Sequence, residues 1–496
     1  MATKKKSPSR KPAVIPKSTV TEQTDRQVTP RREETVSFEV LCTPKSSAAL
    51  PQMMQELNVE TVERSRPEAR TLNEVAKSLQ EQGFRVFTND SSTSVSAEGP
   101  YGLFEKVFNT KLRKRERTLK MGTQERTVEF FDTVEGAPEP MNSNVPGAMY
   151  AAIQRPPIFF APSPLPPAVK YFHLRVPGDV AALTKASLAH RKTIGSGDRA
   201  TGGGVKVAML DTGFFVHPYF DVHGYRLNPV AAADAIMPAT LDPVGHGTGE
   251  VANIFATAPD AQVFGVKMGG NAVLSFDRAA GLGVKVISCS WGWHLPGATA
   301  LPPALIPVRL RILAAISSGI TVVFSGGNGQ VSFPGMMPEV ISAGGVFADQ
   351  NANLMASNYA SSFMSLIFPG RQVPDLCGLV GQQPAATYIM LPIPIGCSID
   401  TGLGGNPQPA KDETTTSDGW GVFSGTSAAA PQLAGVCALL LQKHPTLTPA
   451  QVKAALRATA TDVTTGTSFM GQPAGPGIDN ATGTGLVNAL LAWQSV

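Results

Sequence analysis

Three short segments in the C-terminal part of the chain carry an acid, an imidazole and a hydroxyl in contexts suited to chemistry. Asp211 ends the apolar run VKVAML, His246 stands between two glycines where a helical segment begins, and Ser427 precedes a long apolar helix. A serine hydroxyl becomes nucleophilic when an imidazole takes its proton, and a buried carboxylate fixes the tautomer of that imidazole. These residue types predict covalent catalysis, with Ser427 as nucleophile, His246 as base and Asp211 as the orienting acid.

Each segment also has an ordinary structural interpretation. An Asp after a strand is often a turn former or a helix cap, and SGTS or HGTG alone is commonly the start of a helix. The three segments occur together, each on a fitting element, and this combination favours a catalytic site. No catalytic or binding role is predicted for the other six histidines.

The order Asp, His, Ser along the chain is the order found in subtilisins. DTG at 211–213, HGTG at 246–249 and SGTSAAAP at 424–431 resemble the three signature blocks of the subtilisin-like serine protease family, of the peptidase S8 type. The resemblance covers about residues 171–496. It implies a serine endopeptidase that hydrolyses peptide bonds of protein substrates through an acyl-enzyme.

The same resemblance implies further site residues. The block FSGGNG places Asn328 where the family has an amide donor to the oxyanion, with the backbone N–H of Ser427 as its partner. The resemblance also implies two facing walls of the substrate pocket, formed by Ser290, Trp291 and Gly292 and by Ser325, Gly326 and Gly327.

Some positions depart from the family pattern. Gly249 stands where a second histidine is usual, and Ala428 and Gln432 replace the usual Met and His of the serine block. None of these residues carries a proton in the mechanism, so the triad is retained. Residues 350–420 are longer than the family's core needs, and we expect them to form a surface insertion beside the substrate cleft.

The N-terminal part has a resemblance of its own. GFRVF, SVSAEGPYGLFEKVFNTKL and the following Pro-rich joint resemble the activation domain of the sedolisin or kumamolisin type. That family also has an SGTSA-like serine block, but it replaces the histidine base with Glu and the oxyanion Asn with Asp. His246 and Asn328 exclude that chemistry here. The resemblance implies a prodomain that assists folding and restrains the active site.

The elements that must position the site follow an α/β pattern. Short, nearly continuous apolar runs such as VKVAML, VKVISCS and ITVVFSG are typical of parallel strands buried on both faces, and helical segments lie between them. We predict a doubly wound, mostly parallel sheet flanked by helices, with the site at the carboxyl ends of the strands. A small α+β, ferredoxin-like prodomain is expected to precede it.

Composition divides the chain into four segments. We predict a disordered basic leader at 1–35, the α+β prodomain at 36–135, a Pro-rich linker at 136–170 and the catalytic domain at 171–496. A processing cut is expected in the exposed joint between Lys111 and Pro167. The basic run KLRKRER in that joint is either a processing signal or a solvated edge.

Charge and hydropathy argue against several function classes. Residues 1–35 hold nine Lys and Arg against four Asp and Glu, whereas residues 171–496 hold seventeen against eighteen. The net charge of +4 therefore belongs to the leader, which argues against a nucleic-acid-binding face. No apolar run reaches the length of a membrane helix, and no apolar region follows the basic start, so a cytoplasmic location is expected, with non-classical export left open.

Cofactors and partners follow from the same residues. The five cysteines lack metal-ligand spacing and are expected to be reduced thiols, with Cys377 and Cys397 as the one pair to check. No loop has the alternating carboxylates of a calcium site, so we expect no metal or cofactor and leave structural calcium open. The expected partners are a protein or peptide substrate and the prodomain in cis. The alternative function is a catalytically silenced binding or scaffold protein on a protease fold.

Overall fold

The computed structural model describes most of the chain, and every candidate site residue lies in the described part. The described ranges are 22–30, 34–45, 57–87, 93–121, 124–134, 145–155, 158–159, 172–384, 387–405, 410–414 and 419–496. The predicted disorder of residues 1–21 lies outside the described residues.

A mostly parallel sheet forms the centre of the C-terminal domain. In spatial order its parallel strands are Arg226–Ala231, Gln262–Lys267, Lys206–Asp211, Val286–Cys289, Thr321–Ser325, Ile341–Ala348 and Leu376–Leu379. Leu354–Ala356 pairs antiparallel with Ile341–Ala348. Shorter strands pair at the margins of the domain, and they are Leu174–Arg175, Trp291–His294, Ser332–Phe333, Phe363–Met364, Gln372–Val373, Ile389–Pro392 and Trp420–Phe423.

Helices cover both faces of this sheet. They are Gly178–Leu183, Ala186–Ala189, Pro218–Val222, His246–Thr257, Ala272–Ala280, Ile306–Ser317, Ser398–Leu403, Thr426–Lys443, Pro449–Thr459 and Ala489–Ser495, with a 3-10 turn at Pro303–Leu305. None of the helices in the described ranges combines the length and apolar character needed to span a bilayer.

The strand Lys206–Asp211 explains why both faces are covered. Val207 and Met209 point into the core that contains the helices His246–Thr257 and Thr426–Lys443. Ala208 and Leu210 point into the core on the opposite face. Successive side chains of a strand face opposite sides, so a continuous apolar run requires two covered faces. The predicted doubly wound, mostly parallel sheet is confirmed.

Two helices of one face carry the predicted histidine and serine at their N-terminal ends. We call His246–Thr257 the histidine helix and Thr426–Lys443 the serine helix. They approach closely, because a Cβ added at Gly435 would overlap Thr257, and Thr257 Oγ1 donates a hydrogen bond of 3.0 Å to the carbonyl of Gln432. This contact fixes the distance between the two helices.

A separate sheet organises the N-terminal unit, which we define as residues 22–159. Its strands in spatial order are Arg85–Phe87, Ser94–Pro100, Thr35–Cys42 and Ala148–Ile153, all antiparallel. The helices Ala69–Glu81 and Tyr101–Val107 pack on one face around Phe38, and a 3-10 turn lies at Val62–Ser65. The four strands of this sheet and its two helices alone follow the order β-α-β-β-α-β, as in a ferredoxin-like arrangement, and three further strands of the unit form a second sheet.

The other face of that sheet packs on the C-terminal domain. Leu41 and Tyr150 join the core formed around the helices Ala272–Ala280 and Ile306–Ser317. Both residues are nearly inaccessible to solvent. The N-terminal unit therefore buries apolar side chains against the larger domain as well as within itself.

The predicted boundaries of the leader and the linker are wrong for two described strands. Glu22–Val28 falls inside the predicted leader, yet it pairs antiparallel with Leu112–Met121. Ala148–Ile153 falls inside the predicted linker, yet it is the fourth strand of the N-terminal sheet. The first strand is polar and is held by pairing and by charge, which a composition argument does not detect.

The basic run KLRKRER is not an exposed joint. Its residues belong largely to Leu112–Met121, which lies between Glu22–Val28 and Gln124–Thr133 in a three-stranded sheet. Arg117 forms a bidentate ion pair with Asp25, at 2.9 Å for each bond. Basic side chains paired across the central strand of a sheet are a structural feature, so the run is not a solvated edge, and its position in a paired strand argues against a processing signal.

The stretch 350–420 is not a single surface insertion. Leu376–Leu379 is a buried strand of the main sheet, and Ile389–Pro392 pairs with Trp420–Phe423, just before the serine helix. These apolar segments are required by the core, so the extra length is confined to the connections between them. All five cysteines are buried and free, and Cys377 and Cys397 are not bonded to each other.

Candidate active site

The predicted acid and base meet at the edge of the main sheet. Asp211 is the last residue of its strand and His246 the first residue of the histidine helix. His246 Nδ1 donates a hydrogen bond of 2.8 Å to Asp211 Oδ1, and the backbone N–H of Thr212 donates to the same oxygen at 2.8 Å. Both side chains are buried. A proton held on Nδ1 leaves Nε2 of a neutral imidazole as the basic nitrogen.

A second acid, which the sequence analysis did not identify, fixes the start of the histidine helix. Asp242 accepts hydrogen bonds from the backbone N–H of Gly245 and of Thr248 at 2.9 Å each. It also accepts from the hydroxyls of Thr212 at 2.8 Å and Thr248 at 2.7 Å. Burial raises the pKa of Asp242, and these donors partly oppose that effect. Asp242 therefore joins the loop that begins at Thr212, just after Asp211, to the histidine helix.

Lys267 supports the same loop from the neighbouring strand. Its Nζ donates to the carbonyl oxygens of Thr212 at 2.6 Å and Leu241 at 2.7 Å. Burial lowers the pKa of Lys267, while the carboxylate of Asp242 raises it. No local motif marks Asp242 or Lys267, because their partners come from different strands and loops.

Asn328 is fixed by one end of its amide. Its Oδ1 accepts hydrogen bonds from the backbone N–H of Thr426 at 2.9 Å and from the Thr426 hydroxyl at 3.0 Å. A backbone N–H can only donate, so the other amide atom must be Nδ2. That nitrogen is buried and has no hydrogen-bond partner among the described residues. Gly425, at φ 142°, leaves room for it, since a Cβ there would lie 2.9 Å from Nδ2.

Ser427 is attached to the ends of two neighbouring strands. Its carbonyl accepts a hydrogen bond of 2.9 Å from Ser290 Oγ, which follows the strand Val286–Cys289. The adjacent Thr426 is bound by Asn328, which follows the strand Thr321–Ser325. The structure thus brings Asp211, His246, Asn328 and Ser427 to the carboxyl edge of adjacent parallel strands, where α/β proteins place their sites. Ser427 and His246 are 0% and 1% exposed.

The predicted pocket walls lie beside this edge, with one difference in detail. The Trp291 side chain is buried in the core, where its Nε1 donates to the Leu210 carbonyl at 3.1 Å. Only the backbone of Trp291 and Gly292 faces a neighbouring strand, and that strand is Ile158–Phe159, paired antiparallel. On the facing wall, the Gly327 N–H donates to the Thr426 hydroxyl at 3.1 Å. Ser325 and Gly326 are buried next to it.

Two of the three family-atypical positions, Gly249 and Gln432, have a structural explanation. A Cβ at Gly249 would overlap the ring of Phe423. Gln432 donates to the carbonyl of Leu379 at 3.1 Å and accepts from its N–H at 2.7 Å. Within the described ranges, no group of three or more His, Cys, Asp or Glu side chains is arranged to hold a metal ion.

A family model and individual protein sequences both relate this chain to the subtilases. The family model described as the subtilase family, peptidase S8, matches residues 202–485, more than half of the chain. M-protease of Shouchella clausii (strain KSM-K16) is 29% identical over 314 residues, which cover 59% of this chain and 65% of that protein. Subtilisin Savinase of Lederbergia lenta is 28% identical over 314 residues, covering 59% and 92%.

A solved structure matches the fold over most of the chain. Fervidolysin from Fervidobacterium pennivorans, a keratinolytic enzyme related to subtilisin, superposes with a TM-score of 0.52 at 19% identity. The match covers 94% of this chain and 62% of that protein. The present chain thus spans just under two thirds of the length of fervidolysin and of M-protease.

Proposed function

The chain belongs to the subtilase family, and we propose that it is a serine endopeptidase that hydrolyses protein substrates through Asp211, His246 and Ser427. The observation that carries the proposal is the buried 2.8 Å hydrogen bond between His246 Nδ1 and Asp211, at the edge that also holds Ser427. This bond orients the imidazole and stabilises the positive charge that the imidazole gains during catalysis.

The proposed reaction follows from these positions. Ser427 Oγ attacks the scissile carbonyl while His246 Nε2 takes its proton, and His246 then protonates the leaving amine. Water hydrolyses the acyl-enzyme by the reverse sequence. Asp211 orients the imidazole ring and stabilises its positive charge.

The oxyanion of the tetrahedral intermediate would be bound by Asn328 Nδ2 and the backbone N–H of Ser427. The support is the buried amide nitrogen of Asn328, which lacks a partner in the described part of the chain while its oxygen is held by Thr426. A preorganised donor of this kind costs no reorientation when negative charge develops. The N–H of Ser427 lies in the first turn of the serine helix, where the helix dipole favours an anion.

Substrate would bind as an added strand. The backbone of Trp291 and Gly292 already pairs with Phe159 and Ile158, so this edge accepts an extended segment. Main-chain pairing tolerates many sequences, whereas side-chain pockets select among them. Since the Trp291 side chain is buried in the core, it does not line the substrate cleft.

The N-terminal unit is proposed to restrain the enzyme in cis. Three observations support this restraint. The segment Ile158–Phe159 occupies the proposed substrate edge, the Trp293 indole donates to the Arg155 carbonyl at 3.1 Å, and both reacting side chains are inaccessible to solvent. Removal of the N-terminal unit is therefore expected to expose the site.

Hydrolysis of an unfolded protein such as casein tests the proposed activity. We expect cleavage by the wild type and loss of cleavage in Ser427→Ala, which changes one buried atom and leaves the fold intact. The same buried triad would also suit a silent scaffold protein. If the wild type binds casein without cleaving it, even after limited proteolysis has removed the N-terminal unit, the scaffold function is favoured.

A further inference from the structure

Glu250 is a buried acid that the proposed mechanism does not use. It lies four residues after His246 on the histidine helix, a spacing that places two side chains on the same face. Its side chain is inaccessible to solvent, and Oε1 has no hydrogen-bond partner among the described residues. No salt bridge in the described part of the chain involves it. A buried carboxyl with so little compensation requires an explanation.

A chain of amides connects this acid to the serine helix. The backbone of Leu379 fixes Gln432, because the Leu379 N–H can only donate to Gln432 Oε1. Gln432 Nε2 must then donate to Asn253 Oδ1, at 3.2 Å. Asn253 is left with Nδ2, which donates to Glu250 Oε2 at 2.9 Å. The direction of every bond is set by one backbone N–H, so Oε2 is held as an acceptor.

The electrostatic surroundings of Glu250 come from three titratable groups. His246 lies on its own helix, Asp211 ends the adjacent strand, and the buried phenol of Tyr359 lies in the segment after Leu354–Ala356. Burial raises the pKa of Glu250 to about 8, the Asp211 charge adds to this rise, and a charged His246 opposes it. Glu250 is therefore neutral at neutral pH and ionises in the mildly alkaline range.

We propose that Glu250 is a positioning residue for His246. While neutral, Glu250 holds the histidine and serine helices in register; once ionised, it adds a second negative charge on the helix face that carries the imidazolium. The inference rests on the proposed peptidase activity. The imidazolium forms as Ser427 attacks, so a negative charge near it lowers the barrier. Catalysis should therefore improve as Glu250 loses its proton.

The pH dependence of kcat/KM tests this role in the full chain. In the wild type we expect a rise of about tenfold between pH 7 and pH 9, which corresponds to one pKa unit of coupling between the two groups. Glu250→Gln keeps the shape and neutrality of the protonated acid. It should match the wild type within about twofold at pH 6.5 and lack the alkaline rise.

A matched control is Asp234→Asn, which removes another buried acid of the same domain whose pKa is raised by burial. Asp234 accepts from the backbone N–H of Asn271 and lies outside the proposed machinery. This variant should keep the wild-type rise. A rise retained in Glu250→Gln, or an equal loss of activity at every pH, overturns the proposal.

A second variant covers the case in which Glu250→Gln does not fold. Asn253→Leu removes the donor to Oε2 and so disfavours the ionised acid. The rise should move to higher pH by about one unit, and an unmoved rise contradicts the proposal. If the wild type shows no turnover at any pH, the proposed peptidase function itself fails, whereas turnover without an alkaline rise rejects only the role of Glu250.

Discussion

In the proposed mechanism, the two ends of the Asn328 amide have different roles. The oxygen is held by Thr426 at 2.9 and 3.0 Å, and this bonding leaves the nitrogen directed into the buried site. An amide that is free to rotate would stabilise the oxyanion less, because a donor stabilises an oxyanion best when it is already oriented. The rigidity of Asn328 is therefore as important as its chemistry.

Replacing Asn328 with Leu should lower kcat by about 100-fold to 1,000-fold, the range known for the loss of one oxyanion donor in a subtilisin. KM should change little, because the donor acts mainly on the transition state. Steady-state kinetics with a peptide substrate measures both constants. Thr426→Ser, which keeps both donors to Asn328, serves as the control, and an unchanged kcat in Asn328→Leu would remove Asn328 from the mechanism.

The stability of the folded protein should depend on the protonation of Glu250. Its pKa rises from 4.5 in the unfolded chain to about 8 in the folded protein, because of burial. The stability gained from the protonated acid is fully present below pH 4.5 and is lost as the pH rises to about 8. Relative to Glu250→Gln, the wild type should lose up to about 1.4 kcal/mol of unfolding free energy per pH unit in that window.

Urea denaturation of both proteins in a Ser427→Ala background, which prevents self-digestion, measures this difference. A difference in unfolding free energy that stays constant from pH 5 to pH 8 would show that the acid does not change its charge there.

The residues of the site differ in how far sequence could predict them. Asp211, His246, Asn328 and Ser427 have glycine-rich or strand-ending neighbours that are visible within ten residues. Asp242 and Glu250 have no such local sequence signal. Asp242 accepts hydrogen bonds from two separate loops, and Glu250 interacts electrostatically with Asp211 at the end of a neighbouring strand. Local motifs identify the proposed reacting groups, whereas the groups that support them depend on tertiary contacts.

At the scale of elements, the geometry of the site depends on the approach of the histidine and serine helices. Gly435 and Thr257 lie where the two helices touch, and Asp242 and Ser290 attach their N-terminal ends to the sheet. A shift of either helix would separate the proposed base, His246, from the proposed nucleophile, Ser427. Close packing without a side chain at Gly435 therefore matters for the proposed function.

Gly435→Ala should destabilise the protein by about 1–3 kcal/mol, the usual cost of overpacking a core, because its Cβ would overlap Thr257. Activity should fall as well, since the helices must separate to accommodate the methyl group. Thermal unfolding in the Ser427→Ala background and kinetics in the active enzyme measure the two effects. Gly402→Ala is the matched control, as a Cβ there meets nothing within 4 Å; equal stability of the two variants would refute the packing argument.

The elements themselves were predictable in unequal measure. The parallel strands can be recognised in the sequence as continuous apolar runs, since both of their faces are buried. The strand Glu22–Val28 cannot be recognised in this way, because it is polar and is held by cross-strand ion pairs such as Arg117 with Asp25. Ala148–Ile153 lies among prolines and glycines, and only its pairing with Thr35–Cys42 identifies it as a strand.

At the scale of the whole molecule, one buried acid lies where the N-terminal unit meets the C-terminal domain. Glu39 is inaccessible to solvent and accepts hydrogen bonds from Ser94 Oγ at 2.7 Å and from Asn271 Nδ2 at 2.8 Å. Asn271 caps the helix Ala272–Ala280 of the larger domain. Burial raises the pKa of Glu39 to about 7, so docking of the N-terminal unit on the C-terminal domain is coupled to protonation of Glu39.

The proposed restraint should therefore weaken as the pH rises. The contribution of neutral Glu39 is complete below pH 4.5 and is lost as the pH rises through about 7. Glu39→Gln stays neutral, so at pH 8 its active site should be labelled by a fluorophosphonate more slowly than that of the wild type, by up to about 300-fold for the full difference between the two pKa values. At pH 5 the two rates should differ by no more than about fourfold, and equal rates at both pH values would exclude Glu39 from the restraint.

The order of a smaller unit before an α/β domain was predictable from composition and motifs, but the contact between them was not. Leu41 and Tyr150 alternate with residues of the N-terminal core, and the pattern of one strand does not tell which face meets another domain. The interface depends on complementary surfaces from segments more than a hundred residues apart.

Covalent labelling of Ser427 tests the central claim most directly. A fluorophosphonate reacts with a serine only when the hydroxyl is activated by a base, so mass spectrometry of the labelled, digested protein locates the nucleophile. We expect a single adduct on Ser427, strongly reduced in His246→Ala, absent in Ser427→Ala and faster after the N-terminal unit is removed. An unlabelled Ser427 in the protein without its N-terminal unit, or labelling unaffected by His246→Ala, would contradict the proposed catalytic site.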